Sequence, residues 1–233
     1  MNAPLYQTVI DTILDRIASG ALPPGAMLPS EMQLAKELGV AQGTARKAVM
    51  ALESRGIVTR TQGRGSFVTL RTPEDALFSF FRLRRADGTL EPPQLVSETV
   101  VRRPALAHER AELHGAPEDV LDIRRIRQLG TDTRAVEHSR ISATMFPGLE
   151  ARNPLPNTLY VLYQQAYSII VLNVNDRLSA EAASTDVAQA LDMPPGTPVL
   201  HIERQTYDAL DRLVELRDVW CRTERHRYFA YQP

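Results

Sequence analysis

The sequence predicts an α+β protein in two domains, a small helical one closed by a β-hairpin and a larger one built on an antiparallel sheet. Three observations carry this. Apolar residues recur at helical spacing between Leu5 and Leu52, then switch to a period of two from Ile57 to Val68. A unit of helix, turn, strand, hairpin and strand occurs twice in the second half, and duplicated hairpins with segregated helices imply an antiparallel sheet. A length of 233 residues is enough for two cores of ordinary size.

Composition narrows the setting. The apolar fraction is 43% and the charged fraction 24%, normal for a soluble globular chain. No apolar run approaches the roughly 18 residues of a membrane span. Met1-Asn2-Ala3-Pro4 lacks the basic-then-apolar layout of a secretory signal. The single cysteine, Cys221, excludes a disulfide within the chain and a Cys-cluster metal site. These features lead to the expectation of a cytoplasmic protein with no membrane contact. The net charge of −1 hides an asymmetry: residues 1–71 carry eight Lys/Arg against five Asp/Glu, whereas residues 72–233 carry nineteen against twenty-three. A basic N-terminal zone suggests an anionic partner for that part alone.

The elements follow in order. Leu5, Val9, Ile13 and Ile17 define a first helix that ends at Gly20. The prolines of 21–29 forbid helix there. Ser30 then offers an N-cap, with Gln33 completing a capping box, and the short second helix stops at Gly39. A third helix runs from Gln42 to Arg55, with Ala45, Val49 and Leu52 inward and Gly56 as its stop. Two short helices joined by a tight glycine turn are helix-turn-helix geometry, in which the second helix lies in the major groove of DNA. Its outward positions at the start are Gln42, Gly43, Thr44, Arg46 and Lys47, suited to base edges and phosphates. Strands around Ile57–Thr59 and Ser66–Val68 flank a basic, glycine-rich tip with Arg60, Arg64 and Gly65. Such a wing can enter the minor groove or grip the phosphate backbone.

These residues carry a resemblance. Gly20-Ala21-Leu22-Pro23-Pro24-Gly25, Leu28-Pro29-Ser30-Glu31, Thr44-Ala45-Arg46 and Gln62-Gly63-Arg64-Gly65-Ser66-Phe67-Val68, within 4–68, look like the DNA-binding domain of the GntR family of bacterial transcription regulators. The resemblance implies that Arg46 is a principal DNA contact and that Gly65 sits at the wing tip. The family often has arginine where this chain has Met32, and Ser-Arg where it has Ala41-Gln42.

A winged helix-turn-helix over 1–70, a linker over 71–77 and a second domain over 78–233 is the expected organisation. In the second domain Val120-Leu121-Asp122-Ile123-Arg124-Arg125 recurs as Val199-Leu200-His201-Ile202-Glu203-Arg204, an offset of 79. Turns at 130–133 and 208–211 lead to Val136-Glu137 and Val214-Glu215. Helices are expected at Pro104–Leu113 and Ala180–Leu191, with helical character over Thr158–Gln165 and a strand over Ile169–Val174. Arg125 and Arg127 are two apart on one strand and therefore share a face. Paired guanidinium groups can hold a phosphate or carboxylate bidentately; alternating arginines can equally form a solvated face or pair with Glu137.

Arg125-Ile126-Arg127, Ala135-Val136-Glu137, Phe146-Pro147, Leu159-Tyr160 and Val214-Glu215 with Arg222 and Tyr228 look like the UTRA effector domain of the HutC branch of the GntR family. This resemblance implies a chorismate-lyase-like fold that binds a small metabolite, with Arg125, Arg127, Glu137, Thr158 and Glu215 as contacts. Such domains bind sugar phosphates, carboxylates or amino-acid catabolites. The family commonly has an aromatic where this chain has Cys221.

The resulting expectation is a homodimeric, ligand-responsive repressor that binds a double-stranded operator, with no catalytic residue, cofactor or metal. Two alternatives fit the sequence less well. An enzyme would draw on Glu137-His138, His201 and Glu215, but no nucleophile motif or zinc-spaced histidine pair is present. An all-helical metal-binding effector domain conflicts with the period-two strands.

Overall fold

The computed structural model describes residues 4–131, 133–152 and 154–230. The chain forms two compact units: Met1–Thr72 with Tyr160–Leu172 and Asp208–Asp211, and the remainder.

The first unit opens with helices α1 (Leu5–Ala18), α2 (Glu31–Leu38) and α3 (Gln42–Ser54), then strands β1 (Val58–Thr61) and β2 (Gly65–Val68). Ser30 caps α2 as its sequence spacing predicts: its hydroxyl accepts from the Gln33 N–H, and the Gln33 side chain accepts from the Ser30 N–H. Gly39 ends α2 with φ +64°, a left-handed conformation that glycine adopts without Cβ strain. β1 and β2 pair antiparallel from Val58↔Val68 to Thr61↔Gly65. Met27 bridges to Phe67 and the Leu28 N–H donates to Ser66 O, so the proline-rich segment adds a short third edge to the wing.

Val9, Ile13, Leu34, Ala45, Leu52 and Ile57 are buried together and carry the core of this unit, which also takes in Ile170 and Ala209. Buried Gln164 fixes the chain after the wing: its Nε2 donates to Thr69 O at 2.6 Å and its Oε1 accepts from the Arg71 N–H at 2.9 Å.

In order, the rest of the chain forms α4 (Pro73–Phe80), β3 (Leu83–Arg85), β4 (Gln94–Pro104), α5 (Ala107–Glu112), β5 (Asp119–Leu129), β6 (Thr133–Ser142), α6 (Leu159–Tyr167), β7 (Val171–Ala182), α7 (Thr185–Leu191), β8 (Pro198–Asp208), β9 (Leu213–Cys221) and β10 (His226–Tyr228). Six strands make one sheet in the order β4-β5-β6-β9-β8-β7, and β3 pairs with β10 apart from it. The two repeated hairpins, β5–β6 and β8–β9, meet at the centre of this sheet along β6–β9. Ser139 and Arg217, which the 78-residue offset makes equivalent, stand directly opposite each other there. A local two-fold relation therefore runs through the middle of the sheet.

Several expected boundaries move. The 71–77 stretch read as a linker contains the start of α4, where Pro73 has the φ a first helical turn needs and Glu74 and Asp75 favour its N-terminus. Pro104 ends β4, pairing with Asp119, so α5 starts only at Ala107. Residues 180–182 continue β7, and α7 begins after Ser184, whose hydroxyl accepts from the Val187 N–H. The strand expected over 169–174 extends much further, to Ala182. In the expected turn at 130–133, Asp132 lies outside the described residues.

Candidate functional site

The first surface is built on α3 and the wing. Gln42 opens α3 and is exposed, as are Arg46 and Lys47, while Thr44 is half-buried beside the inward Ala45. Gly43 has open space where a Cβ would project, leaving the helix start smooth for a close approach. Lys47 is held at the surface with its Nζ 4.3 Å from the centroid of the Tyr6 ring. Arg60 and Arg64 are exposed on the wing. Gly65 is the first residue of β2, paired with Thr61 at the mouth of the tip, with φ +118°. A side chain there would be strained, so the glycine shapes the tip whatever it contacts.

The wing, the start of α2 and Gln42 enclose a groove of about 490 Å³ into which Arg60, Arg64 and Gly65 also open. Two features here went unread in the sequence. Arg60 Nη2 lies 2.6 Å from Glu31 Oε1, so part of its charge is already met. Met27 and Met32 are both more than half exposed and line this groove as an apolar pair.

The second site lies on one face of the six-stranded sheet. Register places Glu98, Arg125 and Glu137 abreast on β4, β5 and β6, with Arg127 two residues further along β5. All four side chains are buried. Arg125 Nε is 2.7 Å from Glu98 Oε2, an ion pair whose geometry is out of line for a hydrogen bond. Its Nη2 donates to the carbonyls of Leu155 and Pro156, at 3.2 and 2.8 Å. Arg127 Nη1 donates to Glu137 Oε2 at 3.2 Å, and its Nη2 to Asn157 Oδ1 at 2.7 Å. Three buried guanidinium nitrogens, Arg125 Nε and Nη1 and Arg127 Nε, have no hydrogen-bond acceptor.

Thr158 is half-buried immediately after Asn157, at the entrance to α6. Glu215 is fully buried on the same face, taking Arg217 Nη2 at 2.8 Å and the Thr206 hydroxyl at 3.2 Å. It stands four residues along β9 from the position opposite Glu137, about 13 Å at the rise of a strand. The structure thus brings Arg125, Arg127 and Glu137 together and sets Glu215 at the far end of the same row of charges. Arg217 occupies the gap, with Nε 3.0 Å from Ser139 Oγ. Sequence reasoning passed over Arg217, although it follows Glu215 by two and so had to share its face.

Arg204, the repeat partner of Arg125, also points to this face but is closed off. It makes a bidentate pair with Asp176, both contacts at 2.7 Å, and donates to Phe80 O at 2.8 Å. Tyr228 completes this corner with its hydroxyl donating to Asp176 Oδ2 at 2.6 Å. Burial alone would push the Glu137 carboxyl up. The charges of Arg127, Arg217, Arg125 and Arg204 outweigh it and hold Glu137 below the usual carboxylate range. Burial lowers the affinity of Arg125 for its proton, with Glu137 opposing. Cys221, on the same face beside Ala135, has its thiol pushed up to about 12 by burial.

A basic winged helix-turn-helix combined with a sheet domain carrying a buried arginine–carboxylate array defines a ligand-responsive DNA-binding regulator. The sequence agrees in both halves. Residues 5–68 match the model for bacterial regulatory proteins of the gntR family, and residues 96–227 match the UTRA domain. The chain belongs to the GntR family of transcription regulators that carry a UTRA domain, a family of regulators and not of enzymes.

Among its relatives is the probable fructoselysine utilization operon transcriptional repressor of Escherichia coli K12, 27% identical over 226 residues, which span 95% of this chain and 91% of that protein. The HTH-type transcriptional repressor NagR of Bacillus subtilis 168 is 28% identical over 209 residues, 88% of this chain and 84% of that one. The crystal structure of PhnF from Mycobacterium smegmatis shares the fold, with TM-score 0.56 at 22% identity, covering 96% of this chain and 99% of that chain. No helix among the described residues is long and apolar enough to cross a membrane.

Proposed function

We propose that the protein is a homodimeric repressor whose sheet domain binds a small anionic metabolite at Arg125, Arg127 and Glu137, with Thr158 beside them and Glu215 at the far end. The observation that carries this is the pair of buried guanidinium nitrogens, Arg125 Nη1 and Arg127 Nε, that have no hydrogen-bond acceptor, Arg125 Nε being already set against Glu98. A buried donor left unsatisfied costs on the order of 1–3 kcal/mol, more when charged. Phosphate or carboxylate oxygens would satisfy Arg125 and Arg127 together, in the fork geometry that suits guanidinium. Glu137 accepts hydrogen bonds from hydroxyl or amine groups of the same ligand. Glu215, some 13 Å along the strand, suits the other end of an extended molecule such as a sugar phosphate.

DNA contact falls to Gln42, Thr44, Arg46 and Lys47 on α3 and to Arg60, Arg64 and Gly65 on the wing. Half-sites about one helical turn apart would engage the two winged helices of a dimer. Ligand and operator then weaken each other's binding by the same factor. Two relatives bear the name repressor, one of them for fructoselysine utilization, which supports the sign of regulation and puts sugar-derived anions first among ligands to try.

The test has two stages. Thermal-shift screening of sugar phosphates, carboxylates and amino-acid catabolites should find a stabilising ligand, since a ligand raises the stability of the state it binds. That ligand should then release the protein from DNA of its own upstream region. A protein that binds duplex DNA without sequence preference, or that no anion stabilises, would sink the proposal.

A further inference from the structure

A cavity lies against the opposite face of the same sheet; Glu98, Arg125 and Glu137 border it along their strands, while the alternation of a strand sends their side chains to the other face. Register sets two rows there. Thr99, Arg124 and His138 stand abreast on β4, β5 and β6. Two residues along, Ile126, Val136 and Trp220 stand abreast on β5, β6 and β9. One row is polar and the next apolar. Val187 and Ala190 of α7 close over both, leaving about 440 Å³ between helix and sheet, a volume in the range that holds small molecules.

The walls are fixed from behind. The Trp220 ring stacks on His201, centroids 4.7 Å apart and planes within 3°, and its Nε1 reaches Glu181 Oε2 at 3.4 Å. In the polar row, His138 Nε2 is 2.8 Å from Asp122 Oδ1, and Asp122 also accepts from Arg103 Nε at 2.7 Å. Asp122 therefore has its charge met without Arg124. Arg124 contributes only a 3.3 Å contact from Nε to Asp122, and its side chain is two-thirds exposed. Both of its Nη groups remain open to a ligand. Asp186, at the start of α7, also lines the cavity; its charge disfavours a dianion and leaves room for one negative group.

We propose that this cavity is a second small-molecule site, on the face away from Arg125 and Arg127, that takes an amphipathic monocarboxylate. The aromatic or branched body lies on Ile126, Val136 and Trp220, and the carboxylate takes the Arg124 fork. A phosphate monoester, the class suited to the other face, fits poorly because the body of the site is apolar and the cation whose side chain projects on this face is the single guanidinium of Arg124.

Trp220 is the only tryptophan in the chain, so its fluorescence reports on this cavity directly. Full-length protein titrated with phenylacetate should show a saturable change in emission in the millimolar range expected of a small fragment, with inorganic phosphate giving none. Arg124→Gln, at an exposed position that leaves the fold intact, should weaken phenylacetate at least tenfold. Ala190→Phe, checked for native circular dichroism, should fill the space and abolish the response. The proposal is overturned if emission does not change, if the response survives both substitutions unaltered, or if emission shifts with protein concentration alone, which would mean that a second copy of the chain covers this face.

Discussion

Arg60 of the wing and Glu31 at the start of α2 form an ion pair, Nη2 to Oε1 at 2.6 Å, whereas the Arg46 and Arg64 side chains make no hydrogen bond or ion pair within the described residues. The three arginines should therefore contribute unequally to DNA binding. Arg46→Ala or Arg64→Ala should weaken binding and reduce the slope of log K against log salt by about one each where a phosphate contact is lost. Arg60→Ala should reduce it by less, and Glu31→Gln should steepen it by freeing the Arg60 charge. Fluorescence anisotropy across a salt series checks this. Equal losses in all three arginine variants would show that the Glu31 pair opens on DNA.

Arg125 calls for a conservative test. Deleting its charge would strand Glu98 in the interior, and breaking a buried pair from one side costs about 3–5 kcal/mol. Arg125→Lys and Arg127→Lys keep the charge and lose the planar fork. Each should retain cooperative melting and operator binding while losing release by the ligand. A variant that folds and still responds fully removes that arginine from the ligand site.

Acid should unfold the sheet domain through specific carboxylates. Burial pushes the Asp122 carboxyl up, but its hydrogen bonds to His138 and Arg103 hold it far below the usual range. In Asp176 the bidentate Arg204 outweighs burial in the same way, and Glu137 is held low by four arginines. Groups with depressed folded values add stability that is fully present above the unfolded value, about 4 for a carboxyl. That stability is lost as pH falls through the folded values. The melting temperature should thus be flat near neutrality and drop steeply below about pH 4. Asp122→Asn should melt lower at pH 7 and show a shallower acid limb.

The lone thiol should be inert. With its ionisation pushed up to about 12 by burial and no accessible surface, Cys221 carries almost no thiolate at neutral pH. Iodoacetamide should leave native protein unmodified and alkylate it once in denaturant. Rapid labelling of the folded form would mean that the sheet opens locally at β9.

The first 70 residues were legible because their signals are local. The capping box at Ser30–Gln33, the left-handed Gly39 and the period-two wing each depend on neighbours a few positions away. The duplicated hairpins were legible through repetition. β3 and β10 were not, since three residues at 83–85 become a strand only by pairing with 226–228, far along the chain. β4 was hidden by the irregularity between Leu95 and Ser97, which breaks its alternation. In the ligand array, spacing put Arg125 and Arg127 on one face. The acceptors supplied by Leu155, Pro156 and Asn157 come from a loop, which no periodicity announces.

Repetition gives a chain two arginines at matching places, and the two have been put to different uses. Arg204 is saturated by Asp176 and the Phe80 carbonyl and behaves as a rivet. Arg125 keeps bonding capacity in reserve. Asymmetry between twin positions is what allows half of a duplicated scaffold to stiffen the molecule while its counterpart stays free to answer a visitor.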